Sequence, residues 1–205
     1  MEQQSPLVAI GAINLTLAMP PAVNPAASAL FGALLKAVKE PVPEQAHPRA
    51  QKLTPPAIGE YWPGQGGIYG GIRQYHDGLR HIIFAAQDVG KYAFGDSGTE
   101  IEGTNQVDGR ANTAFLIARE GKHPAAIAAS GYSADGHNDF YLPASGELHH
   151  GYLYLPQAFE KAWYVSSSQF SANYAYYLDF EDGWLYDNVK NDERLVRPVR
   201  SLPIQ

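Results

Sequence analysis

The sequence predicts an α+β fold in which short mixed or antiparallel strands and two helices form one domain behind a separate N-terminal region. From residue 59 onward, glycines and turn dipeptides divide the chain into short alternating runs, the pattern of many short strands. Two longer segments between these runs are predicted helices. Residues 1–58 differ in composition, because they hold nine of the 15 prolines and only one aromatic residue, Phe31. We therefore divide the chain into residues 1–58 and a domain of residues 59–205.

The N-terminal region is predicted to serve attachment and oligomerisation. Residues 24–40 space apolar side chains at helical intervals, with Asn24 as a cap and Pro25 at the first helical position. A single helix of this length is marginal in water, so we expect its apolar face to pack on its own domain or on another subunit. A stiff, proline-rich linker follows and ends near Pro56. We predict a homo-oligomer, with a trimer as the expected state.

The elements of the domain are predicted in chain order from the same signals. The predicted strands are residues 67–75, 80–87, 174–180 and 195–202, and the predicted helices are residues 109–121 and 143–162.

Composition excludes several classes of partner. The net charge of −6 gives no basic face for phosphates, so we expect neither nucleic acid nor an anionic membrane as a partner. The chain has no cysteine, which excludes disulfides and cysteine-based metal sites. The apolar run near the start carries Glu2 in place of a basic segment, and Asn14 and Thr16 interrupt it. We read it as neither a signal peptide nor a membrane span.

Motifs for a metal, a cofactor or catalysis are weak. His149 and His150 are adjacent and lack the spacing of a zinc helix. Residues 133–139, "SADGHND", are rich in oxygen ligands but lack the full pattern of a calcium loop, so an ordinary Asx-turn loop is favoured. Ser97 has neither the turn context nor the histidine partner of a nucleophile. We therefore expect no metal, no cofactor and no enzymatic activity.

Six motifs stand in an order that resembles a known family. They are "WPGQGGIYGGI" (62–72), "VDGRANT" (107–113), "DFYLPASGEL" (139–148), "YVSSSQFS" (164–171), "AYYLDF" (175–180) and "RLVRPVR" (194–200). Together they resemble the Lcl C-terminal-type domain, which has a C-type-lectin-like fold. That domain occurs in bacterial surface adhesins, in phage tail proteins and in the variable proteins of diversity-generating retroelements. The resemblance spans roughly residues 58–202.

The resemblance implies that the last third of the chain forms a ligand-facing sheet and loops. Ser166 and Ser167 match the paired serines of the family's Tyr-Trp-Ser-Ser segment, whereas Val165 replaces its tryptophan. The sequence triplets that bind calcium in carbohydrate-binding C-type lectins are absent, so the resemblance does not imply calcium-dependent sugar binding. Retroelement-diversified proteins vary their binding residues within this segment, so membership in such a set is a further hypothesis.

Nine aromatic residues lie within the 24 residues from Trp163 to Tyr186. We assign Trp163, Val165 and Phe180 to the core. The other aromatics alternate with Ser, Gln and Asn, a composition typical of binding surfaces because aromatic side chains give a large contact area at low entropic cost. The predicted ligand-binding residues are Tyr164, Ser166, Ser168, Gln169, Asn173, Tyr174, Tyr176, Trp184, Tyr186 and Asn188. Of these, we expect Tyr174, Tyr176, Trp184 and Tyr186 to lie at the surface on one side of the domain.

The resulting functional hypothesis is a phage-tail receptor-binding adhesin, made in the host cytoplasm and located in the virion tail. Its expected partners are a protein or glycan receptor on the host surface, other tail proteins and further copies of itself. A virion-associated glycan-degrading enzyme is one alternative, which would draw its acid and base from Asp179, Glu181, Asp182 and Asp187. A structural tail or baseplate component is the other.

Overall fold

A computed structural model describes residues 53–119 and 122–204. The predicted helix of residues 24–40 and most of the predicted N-terminal region lie outside the described residues. The described strands are β1 (Tyr61–Trp62), β2 (Gly67–Tyr75), β3 (Gly78–Ala85), β4 (Lys91–Tyr92), β5 (Trp163–Gln169), β6 (Tyr174–Asp179), β7 (Leu185–Val189), β8 (Arg194–Leu195) and β9 (Val199–Pro203). The helices are α1 (Gly109–Ile117), α2 (Pro124–Ser130) and α3 (Ser145–Tyr154), with a short 3₁₀ turn at Pro156–Ala158.

The strands form two sheets. One has four antiparallel strands in the order β1-β2-β3-β9, and the other has five strands in the order β4-β8-β5-β6-β7. In the second sheet only β5 and β8 run parallel, and the other neighbours are antiparallel. Strand β7 lies at one edge of this sheet. The α+β class is therefore confirmed.

The five-stranded sheet carries a hydrophobic core on each face. Tyr164 and Leu178 face a core that β3 and α3 complete with Phe84 and Leu148. The neighbouring residues Val165 and Tyr177 face a second core, which is completed by side chains of α1 and α2: Leu116, Ala125, Ala126 and Ala129. Adjacent residues of a strand point to opposite faces, so β5 and β6 are apolar on both sides. The centre of the sheet is therefore buried on both faces.

Local signals explain where the helices begin. Asp108 precedes α1, and its carboxylate accepts a hydrogen bond from the N–H of Ala111 at 3.0 Å. Pro124 occupies the first turn of α2. Glu147 lies in the first turn of α3 and accepts a hydrogen bond from the N–H of Ala144 at 2.8 Å. The first N–H groups of a helix have no partner within the helix. Asp108 and Glu147 accept hydrogen bonds from such groups, and Pro124 has no N–H that needs a partner.

Most predicted elements are confirmed, but strands β1, β4, β5 and β7 were not predicted, and two further differences concern β8, β9 and α2. Strand β2 has the predicted bounds, and β3, β6, α1 and α3 lie within or overlap their predicted segments. The predicted strand of residues 195–202 is instead divided between β8 and β9, which belong to different sheets. Pro198 lies between them, and proline lacks the N–H that a continuous ladder requires. Helix α2 was not predicted, although Pro124 followed by alanines is a helix-start signal.

None of the helices among the described residues has the length and apolarity needed to cross a membrane.

Candidate functional site

Three predicted ligand-binding residues lie in the interior, and the structure corrects their assignment. Tyr164, Ser166 and Ser168 are fully buried. Their hydroxyl groups form internal hydrogen bonds: Tyr164 donates to Asp88 at 2.9 Å, and Ser166 donates to the carbonyl of Tyr176 at 2.7 Å. The Ser168 hydroxyl donates to a neighbouring loop carbonyl at 2.8 Å. These side chains cannot reach a ligand without unfolding part of β5.

The buried serines have a clear structural role. The register between β5 and β6 shifts between Val165 and Gln169, so the regular ladder is interrupted there. The Ser166 hydroxyl replaces missing ladder contacts, because it donates to the carbonyl of Tyr176 and accepts the N–H of Ser168 at 3.1 Å. Ser167 Oγ accepts a hydrogen bond from the Asn112 side chain of α1 at 3.1 Å, and Ser168 Oγ accepts the N–H of Ser145 at the start of α3 at 3.0 Å. The three serines therefore connect β5 to β6, α1 and α3.

The strand register divides the exposed aromatics between the two faces of the sheet. Tyr177 pairs with Tyr186, whereas Tyr176 pairs with Asp187 and Tyr174 with Val189. Cross-strand partners share a face and adjacent residues do not. Tyr186 therefore lies on one face, and Tyr174 and Tyr176 lie on the other. The expectation that these aromatics form one surface on one side is wrong, because they flank the β7 edge from both sides.

The first group, the Trp184 cluster, consists of Trp163, Trp184 and Tyr186. The rings of Trp184 and Tyr186 are nearly parallel, with an interplanar angle of 19° and centroids 5.9 Å apart. Trp163 lies 4.9 Å from Tyr186 and is half-buried against the second core. Trp184 is 61% exposed and Tyr186 is 39% exposed. The cluster therefore joins an anchored ring to two rings that face solvent.

The second group, the Phe170 cluster, consists of Phe170, Tyr174 and Tyr176. Phe170 and Tyr176 meet edge to face at a centroid distance of 5.4 Å. Phe170 and Tyr174 are exposed, and Tyr176 is half-buried. Phe170 was not among the predicted binding residues, although it lies in the same aromatic and serine-rich segment that marked the others.

The turn before β7 fixes Trp184. The N–H of Trp184 is held by Asp182 Oδ1 at 2.9 Å, and the N–H of Gly183 by the carbonyl of Asp179 at 2.8 Å. Gly183 has a φ of 81°, and a Cβ there would collide with the ring of Tyr152 on α3. Glycine is the residue that adopts this conformation without strain. The most exposed aromatic of the site is thus carried on a well-defined backbone.

Gln169 has an anchoring role that its exposure alone does not reveal. Its Oε1 accepts hydrogen bonds from Lys190 Nζ at 2.6 Å and from the N–H of Ile101 at 3.0 Å, and its Nε2 donates to Glu100 at 2.6 Å. Lys190 is fully buried and also donates to the carbonyl of Thr99 at 2.8 Å. Burial lowers the pKa of the Lys190 ammonium. Lys190 was not predicted, and no motif marks it.

The other two polar candidates lie beside this network. Asn173 is exposed, and its carbonyl accepts the N–H of Lys190 at 3.0 Å. Asn188 is half-buried, and its Oδ1 accepts the N–H of Val189 at 2.8 Å. Both asparagines therefore lie at the β7 side of the sheet. Asn173 directly precedes Tyr174 of the Phe170 cluster.

The acidic residues of the enzyme alternative lie around the same turn. Asp179 Oδ1 accepts the N–H of Glu181 at 2.9 Å, and Asp182 holds Trp184 as described. Asp187 and Glu181 are exposed. Two of these four carboxylates therefore have a role in shaping the turn.

The loop with a calcium-like composition uses its carboxylates internally. Asp135 Oδ2 accepts hydrogen bonds from the Tyr61 hydroxyl at 3.0 Å and from the backbone N–H groups of Gly64 and Gly66 at 2.8 and 3.1 Å. These bonds, that of Tyr61 first, hold the pKa of Asp135 below its usual range. Asp139 pairs with Arg200 at 2.7 Å. Within the described residues, no group of three or more metal-ligating side chains comes together.

No protein-family model matches this chain, and no curated protein matches it. The fold and the site define it as an α+β domain with exposed aromatic residues along one sheet edge.

Proposed function

We propose that this chain is a receptor-binding adhesin that contacts a host surface through the Trp184 and Phe170 clusters. The observation that carries the proposal is the exposure of four large aromatic side chains beside the edge of a doubly covered sheet, namely Phe170, Tyr174, Trp184 and Tyr186. Exposed aromatic side chains on a rigid backbone bind partners with little loss of entropy. The buried cores are complete without these four residues.

The ordered sequence motifs support a more specific proposal. In this proposal the domain is C-type-lectin-like, of the Lcl C-terminal type, and the chain is a phage tail protein in the virion. Residues 1–58 attach it to other tail proteins and to sister subunits, with a trimer as the expected assembly. Several motifs that carry the resemblance lie at positions that shape the domain, as Ser166 and Ser167 do in β5. Light scattering on the full chain tests the proposed trimer, and a monomeric mass would contradict it.

Adsorption to bacterial cells tests the receptor-binding function. The labelled full chain is incubated with a panel of bacterial strains, and the bound fraction is compared between wild type and the double variant Trp184→Ala/Tyr174→Ala, which alters both clusters. We expect strain-selective adsorption that the double variant loses. Ile127→Ala/Leu79→Ala is the matched control, because both residues are exposed apolar side chains on elements outside the five-stranded sheet, namely α2 and β3.

Two outcomes would overturn the proposal. Adsorption that the double variant retains would show that the clusters do not carry binding. Release of soluble sugar from purified surface polysaccharide would instead support the glycan-degrading alternative.

A further inference from the structure

The outer edge of β7 has main-chain groups that the domain leaves open. Asp179 N–H donates to the Trp184 carbonyl at 3.0 Å, and Lys190 N–H donates to the Asn173 carbonyl at 3.0 Å. These bonds flank the β6–β7 ladder at both ends. Hydrogen-bonded pairs alternate with non-hydrogen-bonded pairs in an antiparallel ladder. The N–H and carbonyl groups of Leu185, Asp187 and Val189 must therefore point away from β6.

The outward main-chain groups of one of these three residues, Val189, form hydrogen bonds within the protein. The N–H of Val189 donates to Asn188 Oδ1 at 2.8 Å, and its carbonyl accepts the Tyr177 hydroxyl at 3.0 Å. Among the residues that the structure describes, the outward main-chain groups of Leu185 and Asp187 have no protein partner. This leaves two donors and two acceptors in a row, spaced as the next strand of a sheet requires.

The side chains along this edge differ between the two faces. Trp184 and Tyr186 stand on one face, and the carboxylate of Asp187 stands on the other. The exposed charges of the preceding turn, Glu181 and Asp182, are also acidic. Lys190, three residues after Asp187, is buried and does not offset the Asp187 carboxylate at the surface. The edge therefore has Trp184 and Tyr186 on one face and a single carboxylate, Asp187, beside Tyr176 on the other.

We propose that β7 binds an extended segment of a protein receptor as a sixth, antiparallel strand. The segment alternates apolar residues, which lie against Trp184 and Tyr186, with basic residues, which lie beside Asp187. Its main chain bonds to Leu185 and Asp187. This inference rests on the proposed receptor-binding function and narrows the receptor to a protein with an accessible basic strand.

Defined peptides test the main-chain contacts on the purified full chain. The probe is an acetylated and amidated octapeptide of four Val-Lys repeats. In the proposed register the lysines lie opposite Leu185 and Asp187, so their N–H groups point toward β7. Methylating the lysine backbone nitrogens removes these donors, whereas methylating the valine nitrogens does not. We expect the first peptide to bind about tenfold more weakly or worse, and the second to bind like the parent.

A pair of protein variants tests the same contacts from the other side. Asp187→Pro removes the outward N–H and the charge, whereas Asp187→Ala removes only the charge. Proline is tolerated on an edge strand where its nitrogen faces away from the sheet. We expect the proline variant to keep the wild-type melting temperature and to bind the octapeptide at least fivefold more weakly than the alanine variant. Chemical shift changes in the wild type are expected at the Leu185 and Asp187 amides.

Three results would overturn the inference. These are the absence of octapeptide binding, equal affinities for the two methylated peptides, and equal affinities of Asp187→Pro and Asp187→Ala for the parent peptide. If Asp187→Pro lowers the mass of the free assembly, the edge pairs with a second copy and not with a receptor. Cell adsorption separates the two proposals, because adsorption that needs Trp184 but tolerates Asp187→Pro would leave the receptor-binding function standing while removing the strand contact.

Discussion

Tyr177 and Tyr186 are cross-strand partners in β6 and β7, yet Tyr177 is fully buried whereas Tyr186 is 39% exposed. Truncation should therefore affect them differently. Tyr177→Ala leaves a cavity in the second core and should lower the free energy of unfolding by about 3 kcal/mol or more. Tyr186→Ala should change it by less than about 1 kcal/mol while weakening cell adsorption. Urea denaturation measures both, and equal losses of stability would contradict the assignment of Tyr186 to the surface.

Substitution of Glu147 should lower the free energy of unfolding more than substitution of most other polar residues. Its buried carboxylate accepts hydrogen bonds from the hydroxyls of Tyr75 at 2.6 Å and Tyr141 at 2.8 Å, and from the N–H groups of Gly109 and Ala144. Burial nevertheless raises the pKa of Glu147. Glu147→Ala leaves four buried donors unsatisfied and should lower the free energy of unfolding by about 3 kcal/mol or more.

Two further variants control this experiment. Glu147→Gln should cost less than Glu147→Ala, because its amide oxygen still accepts both N–H groups and the tyrosine hydroxyls can rotate. Glu102→Ala, at an exposed position, should change stability by no more than about 0.5 kcal/mol. Equal effects of the two Glu147 variants would mean that packing, and not hydrogen bonding, determines the loss.

Stability should fall as the pH falls through 6.5, the ordinary histidine value. Burial lowers the pKa of His81, His123 and His150, so the unfolded chain takes up protons in this range that the folded chain does not. His123 is fully buried, and its Nδ1 lies 2.9 Å from the carbonyl of Phe94. His123→Gln should therefore reduce the loss of stability between pH 8 and pH 5.5.

Comparison of wild type with His123→Gln tests this pH dependence. Equal slopes for wild type and His123→Gln would show that His123 does not contribute. Both slopes are obtained from urea denaturation at a series of pH values.

Substitution of Gly183 should lower both the stability of the domain and its adsorption to cells. Gly183→Ala places a methyl group against the ring of Tyr152 and should displace Trp184. Gly136 also has a φ of 81°, but a Cβ there meets no atom within 4 Å. Gly136→Ala should therefore show only the backbone cost, about 1 kcal/mol, whereas Gly183→Ala should cost more and also weaken adsorption. Adsorption unchanged in Gly183→Ala would mean that the position of Trp184 is unimportant.

Binding should not require calcium. Asp135 and Asp139 are occupied by protein donors, and a calcium site needs about six to eight oxygen ligands. Adsorption to host cells should therefore be the same with and without a chelator. Loss of adsorption in chelator that calcium alone restores would contradict this prediction.

The sequence located β2, β3, β6, α1 and α3, but it predicted neither strand β5 nor the burial of the serines in it. The predicted bounds of strand β2 match the structure, because Gly66 precedes the strand and the turn residues Asp77 and Gly78 follow it. Ser166 and Ser168 were predicted to bind a ligand because serines alternate with aromatics in this segment, but a short hydroxyl side chain can replace a missing ladder bond inside a sheet. Periodicity within one strand could not reveal this, since two partners of Ser168 are about 20 and 60 residues away in the sequence.

The sequence alone also could not predict that the aromatics are divided between the two faces of the sheet. Tyr176 and Tyr177 are neighbours with the same side chain, and only the pairing with β7 decides which of them faces the second core. A shift of one residue would exchange their environments. The buried Lys190 depends in the same way on contacts with Thr99 and Gln169 that are distant in sequence.

The position of β9 has a consequence for biosynthesis. Strand β3 pairs with β9 from Arg80 opposite Pro203 to Phe84 opposite Val199, so about 120 residues separate the two partners. While the ribosome is still making the intervening chain, β3 has only β2 beside it and its other edge is unpaired. Pairing across such a long stretch is slow, because the loop must close before the contacts form. The nascent chain therefore exposes an apolar strand edge for as long as residues 199–203 have not been made. We expect chaperones to bind this edge during that period.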